Sequence, residues 1–337
     1  MQNLVFHKKG FLFLFVLGTF VLLNGCEKEL APVRLLRFEQ DLFDTKTVSQ
    51  PDHFYKLQKK YGYYYDSYCK DVLNISEEES AEAFQPSMSK FVSIPSILQL
   101  KHEVDSVFPN TTQIEQELSE AMAIYIKEFP DKKVPTFITY LSEFTIANTT
   151  YDSIIGIGLD FYLGSNYPLY PALEFPEFMV AKLRREYLIA NTIKAMAIGR
   201  YEQQLKDKRF LAMMLFEGKV RYFMKQLLPT TPDSLIFGYS AKQVQWAKEN
   251  EAMIWAHLVE NKLLFNADPS TYMRYFNDGP FTIASGVPQE SSPAIGIYAG
   301  YKIIENYMKE NSSVSLKELM GNGNWDELLK ESKYKPK

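Results

Sequence analysis

Apolar residues recur at helical spacing through much of this chain, most densely from Phe178 to Leu228. Two consecutive helices are expected there, FMVAKLRREYLIANTIKAMAIGRYEQQL and RFLAMMLFEGKVRYFMKQLL. Met179, Leu183, Tyr187, Ala190 and Lys194/Ala197 mark one stripe of the first. The second sets Glu217-Gly218 among Leu215, Phe216, Val220, Tyr222 and Phe223, where a carboxylate is costly to bury without a partner. Lys194, Arg200 and Arg221 are candidate partners. Helical patterning also marks His53–Asp71, Ile97–Phe108, Thr112–Phe129, Ser240–Phe265 with Ser240 placed to cap it, and AIGIYAGYKIIENYMKE at 294–310. The pattern changes at Val134–Phe144 and Ser153–Leu163, both rich in β-branched and aromatic residues. They read as two neighbouring strands joined by a polar turn at Ala147–Asp152. SEEESAEA (76–83) reads as a surface loop and Asn277–Pro293 as a Gly/Pro-rich loop. The tail from Ser315 reads as one short helix and an irregular end. The expected fold is therefore α+β and mainly helical, with a small sheet at about 134–163.

The N-terminus follows a different pattern. His7, Lys8 and Lys9 precede a 13-residue apolar run, Phe11–Leu23. A spanning helix needs about 20 residues, whereas a signal-peptide h-region is this short. The run ends in Leu23-Asn24-Gly25-Cys26, which resembles a bacterial lipobox. Residues 1–25 are accordingly expected to be a signal peptide, and Cys26 the site of lipid attachment. More than one acyl chain there would anchor the protein stably to a membrane. Residues 26–35 read as the lipidated cysteine and its tether, and 36–337 as a single domain, the fold beginning at Arg37–Phe43. Acidic Glu27 and Glu29 leave open whether the domain faces the periplasm or the surface; the outer membrane is the expected location.

Composition narrows the partners. Of the 337 residues 46% are hydrophobic, enough for a sizeable core, and the formal charge is −4. No basic run stands out, so nucleic acid is not an expected partner. The second cysteine, Cys69, lies in the aromatic cluster YGYYYDSYCK and reads as a small buried hydrophobe. Tyr63–Tyr65 and Tyr68 are expected to pack in the core rather than to form a binding surface.

IGIGLDFYLG (155–164), the Glu217-Gly218 helix, QWAKENEAMIW (245–255) and SSPAIGIYAGYKIIENYM (291–308) together resemble the GldB gliding-motility lipoproteins of Bacteroidetes. Arg37–Phe43 and the closing Tyr334-Lys335-Pro336 look similar too, so the likeness runs through nearly the whole mature chain. It implies an envelope lipoprotein that serves gliding or a related envelope or secretion process. GldB-like proteins in turn look like distant relatives of zinc peptidases with His-Glu-x-x-His on one helix and a third ligand, Glu, on a later one. That chemistry needs two His on one helix face and a Glu to deprotonate the metal-bound water. The corresponding window here is Asn191-Thr192-Ile193-Lys194-Ala195, and Ala195 to Glu217 spans 22 positions, which suits the third ligand. Neither His is present, and Thr192 cannot act as the base.

No other metal set is read from the sequence. His102-Glu103 is followed by Ser106 where a second His would stand, and His53 and His257 read as packed or surface residues. No Gly-x-Ser-x-Gly elbow is present. Gly156, Gly158 and Gly164 lie in a strand pattern and do not form a phosphate loop. The expectation is a degenerate zincin-like fold without catalysis, metal or cofactor, acting by binding envelope proteins. Asn191, Thr192, Ala195 and Glu217 would be its vestigial site. Two other readings stay open. One is a hydrolase using an Asp160/Glu217 carboxylate pair, and the other is a surface nutrient-binding lipoprotein.

Overall fold

A computed structural model describes residues 31–75 and 84–337. The expected signal peptide, the expected lipid-attachment residue Cys26 and the segment 76–83, read from sequence as a surface loop, lie outside the described residues. Strand β1 (Leu35–Arg37) opens the fold, so the last residue assigned to the tether is already hydrogen-bonded into a sheet. Helices α1 (Phe38–Leu42), α2 (His53–Tyr61) and α3 (Tyr63–Ser67) follow, the last running into a π-helical turn at Tyr68–Val72. The single helix expected over 53–71 is broken at Gly62, whose φ of +56° a helix cannot continue. The break turns Tyr64, Tyr65 and Tyr68 inward around Phe38, with ring centroids 5.8, 6.3 and 4.8 Å from it in edge-to-face contact. The Tyr68 hydroxyl donates to the carbonyl of Leu141 at 2.8 Å. These three tyrosines are core, and only Tyr63 is exposed. Cys69 is fully buried beside them, and burial pushes its thiol up to about 12.

After α4 (Phe84–Phe91), α5 (Pro95–Val107) and α6 (Thr112–Glu128) come β2 (Thr136–Tyr140), β3 (Asn148–Tyr151) and β4 (Ile154–Gly158). The sheet order is β1-β2-β4-β3. β2 and β4 are neighbours as expected, but they run parallel. The segment read as a polar turn is itself the edge strand β3, which pairs antiparallel with β4 across a tight turn at Asp152, φ +41°. Its sequence, NTTY, suits a half-buried edge, where alternation is too short to register as a pattern.

The next elements are α7 (Glu177–Val180), α8 (Leu188–Tyr201) and α9 (Phe210–Leu227). They are followed by α10 (Asp233–Phe237), α11 (Ala241–Glu249) and α12 (Glu251–Glu260), with Ser240 and Gln243 forming a capping box at the start of α11. α13 (Pro269–Tyr272), α14 (Ile295–Glu310), α15 (Leu316–Gly321) and α16 (Trp325–Ser332) complete the chain. The tail thus holds two short helices rather than one. α8 and α9 are adjacent, and α8 packs on β3 and β4. The first of the two expected helices starts ten residues late, however. Arg184 is extended (φ −142°, ψ 155°) and bridges Leu163, while Gly164 N–H donates to the Leu183 carbonyl at 2.9 Å. Met179 and Leu183 therefore do not share a helix with Ala190, Lys194 and Ala197. No described helix is long and apolar enough to cross a membrane.

α9 is the axis of the fold, touching α6, α8, α10, α14, α15 and α16. Its buried Lys219 donates to the carbonyls of Met320 and Asn322 at 3.1 and 2.8 Å and lies 4.9 Å from the Trp325 ring centroid. Burial pulls this ammonium down from the ordinary lysine range to about 7. The unfolded chain takes up that proton near 10.4, so as pH falls from about 10 to 7 the unfolded state is favoured, and below 7 the cost is constant. Stability is expected to rise from pH 7.5 to 9.5 by about 1 kcal/mol per pH unit on account of this lysine. Denaturant midpoints across that range should lose most of this slope in Lys219→Met. An unchanged slope would show that the two carbonyls and the indole keep the lysine charged.

Candidate functional site

The break before α8 and the turn after α10 bring distant polar and charged residues to one place. Lys182 sits in the break, Asn191 and Lys194 on α8, Glu217 and Arg221 on α9, Tyr239 after α10, and Asp278 in the loop before α14. All seven line an inner cavity of about 250 Å³, closed on one side by Pro293, Ala294 and Ile297 at the start of α14. Arg221 donates to Glu217 at 2.9 Å across one turn of α9, and Lys182 pairs with Asp278 at 2.5 Å. Lys182 lies over Gly238, which takes φ +70° and whose Cβ position would be 3.2 Å from the lysine Nζ. Lys194 is half-buried and makes no hydrogen bond or ion pair among the described residues. Burial, reinforced by the Arg221 charge and opposed by Glu217, pulls its ammonium down to about 8. The Arg221 Nε and the Tyr239 hydroxyl are buried and have no hydrogen-bond partner among the described residues.

The cavity adjoins a groove of about 1120 Å³, and Lys182, Tyr187, Gly238 and Tyr239 line both. The groove is walled by Tyr167, Tyr170, Phe175 and Phe178 on one side and by Ser240, Gln243 and Pro280 on the other. Tyr167, Tyr170 and Phe175 cluster around Phe144, with ring centroids 6.0, 5.7 and 6.5 Å from it. An aromatic trough that ends in a small polar chamber suits an extended ligand with an apolar body and a polar end.

The family model for gliding motility protein GldB matches residues 26–336. The chain belongs to that family. No curated protein and no solved structure matches it. The GldB family is one of envelope lipoproteins, and the matched span takes in the whole of the fold described above.

Within this GldB fold the expected vestigial residues do not all meet. Asn191 and Glu217 line the inner cavity. Ala195 faces instead a separate hollow on the sheet side, shared with Asn191, Lys194 and Thr150. Thr192 is fully buried, and its hydroxyl donates back to the Leu188 carbonyl at 2.7 Å. The face of α8 that lines the cavity with Glu217 is therefore Asn191, Lys194 and Ile198, of which Asn191 and Lys194 fall within the window read from spacing. Glu217 finds its partner in Arg221; Arg200 instead contacts the Tyr125 hydroxyl.

Asp160 is fully buried and does not line the cavity that holds Glu217, so the two carboxylates do not share that cavity. Its Oδ2 accepts from Ser142 N–H and hydroxyl, both at 3.1 Å, and from Phe144 N–H at 2.7 Å. Among the described residues no three His, Cys, Asp or Glu side chains come together as a ligand group. His53 is buried against the Leu42 carbonyl and His257 bonds the Tyr275 hydroxyl. Lys182, Tyr239 and Asp278 were not legible as site residues. Each lies in a break or loop, and only the Phe-Gly-Tyr and Asp-Gly turns beside them gave a local signal.

Proposed function

We propose that this chain is a non-catalytic, peptidase-like GldB protein, held in the envelope by a lipid on Cys26, that grips a peptide segment of another envelope protein. The groove is the grip, and gliding motility or a related secretion process is the setting. One observation carries the reading. The α8 face that shares a cavity with Glu217 carries Asn191, Lys194 and Ile198 and no His, and an aromatic groove adjoins it. A cavity in which two lysines and an arginine outnumber its two carboxylates disfavours a divalent cation but still fits the polar end of a peptide. Descent from a zincin-like fold accounts for an adjacent helix pair beside a small sheet that keeps its glutamate and has lost its histidines. An outer-membrane location follows the same reading.

The test is a photo-crosslinking amino acid placed at Phe175 or Phe178 in living cells, with exposed Tyr55, which lines neither cavity, as the control. The expected result is a discrete adduct with an envelope protein from both groove positions and none from Tyr55. No adduct from the groove, or equal labelling from Tyr55, would overturn the reading.

A further inference from the structure

We infer that the inner cavity receives the free C-terminal carboxylate of a peptide whose preceding residues lie in the aromatic groove. This deepens the reading above and rests on it. Five charged side chains line the cavity, three basic (Lys182, Lys194, Arg221) and two acidic (Glu217, Asp278). The balance is one positive charge, which a monoanion neutralises and a dianionic phosphate exceeds. The acids already hold Lys182 and Arg221 through single contacts, and Lys194 is left without an acceptor among the described residues. The Arg221 Nε and the Tyr239 hydroxyl are two further donors, buried and without partners there. Buried donors of this kind mark the place of an acceptor, and these two belong to residues that line the same small space as Lys194. The N-terminal end of α14, a helix of 16 residues, adds its partial positive charge at Ala294 and Ile297.

Size agrees with charge. A chamber of about 250 Å³ has room for a terminal carboxylate together with the residue that bears it, and the adjoining 1120 Å³ groove accommodates several more. Lys182 and Tyr239 stand where the two meet, so a chain running along the groove reaches the cations with its terminus. An internal peptide segment presents no terminal carboxylate there, and a side-chain carboxylate would have to turn out of the groove to reach the cations.

The experiment uses the full chain in detergent with two pools of randomised N-acetylated pentapeptides, one ending in the free acid and one in the amide. Bound peptides are read by mass spectrometry. Charge-assisted hydrogen bonds to the carboxylate lead to an expected enrichment of acids over amides of about 10- to 100-fold. Lys194→Met should reduce that ratio by about ten-fold, and Lys194→Arg should restore it. Equal recovery of acids and amides would overturn the carboxylate site but leave the groove reading standing. Recovery of neither pool would overturn the groove reading, and this site with it. Inorganic phosphate bound more tightly than acetate would assign the cavity to a phosphoryl group and also overturn the inference.

Discussion

Gly218→Ala is expected to lower the unfolding free energy by about 3 kcal/mol or more, among the largest effects of any single methyl group in this fold. α9 and α14 cross with their backbones in contact at Gly218 and Gly300. A Cβ at Gly218 would lie 2.3 Å from the Gly300 carbonyl carbon, and one at Gly300 would lie 1.9 Å from the Met214 carbonyl oxygen. Both obstacles are backbone, which no side-chain rotation relieves, so the helices must part. Parting them would open cavities along the most heavily packed helix of the molecule. A urea unfolding curve measures the cost. A loss below about 0.5 kcal/mol, the range of neutral substitutions, would mean the crossing is looser than described. Glu217 and Gly218 thus do separate jobs, one facing the cavity and the other setting the distance between helices.

Asp160→Ala is expected to cost about 3 kcal/mol and to weaken peptide binding without touching the groove directly. Its carboxylate holds Ser142 and Phe144, which flank and enter a turn where Glu143 and Phe144 both take positive φ, 55° and 62°. Such strain persists only when its surroundings fix it. Phe144 is the ring on which Tyr167, Tyr170 and Phe175 assemble, so the loss of Asp160 should loosen a groove wall. Burial raises this carboxyl to about 6, with its hydrogen bonds opposing. The folded state therefore prefers the protonated acid. The associated stability is fully present below pH 3.9 and is lost as pH rises through 6. Asp160→Asn keeps an acceptor oxygen for the three donors and cannot ionise. The difference in unfolding free energy between wild type and Asp160→Asn should change by about 1 kcal/mol per pH unit between pH 4 and 6, favouring wild type at the acidic end. A difference independent of pH would show that the carboxyl titrates normally.

Helices were legible where one stripe of apolar residues ran unbroken, as in α5, α6, α9 and α14, whose boundaries fall within two residues of those expected. The sheet was legible as two strands but not as a topology. β1 and β3 are too short to carry a period, and a parallel pairing has no local signature. The first of the paired central helices was overextended because its break comes from outside, through Leu163 and Gly164, where pattern reading has no access. The same blindness hid much of the site. Glu217 and the neighbourhood of Asn191 could be found from spacing on two helices. Lys182, Tyr239 and Asp278 arrive from three separate breaks, and Lys194, read both as part of a helical stripe and as a candidate partner of Glu217, makes no ion pair among the described residues. The family, by contrast, was legible from segments scattered through the chain, because a resemblance of that kind does not depend on knowing how they pack.

The central claim is that the groove holds peptide without cutting it. The direct measurement is to incubate the full chain with the randomised peptide pool and zinc, then follow the bound and free peptides by mass spectrometry over time. Peptides retained intact by both wild type and Glu217→Gln are the expected result. New termini that accumulate with time and disappear in Glu217→Gln would contradict it and make this protein a peptidase.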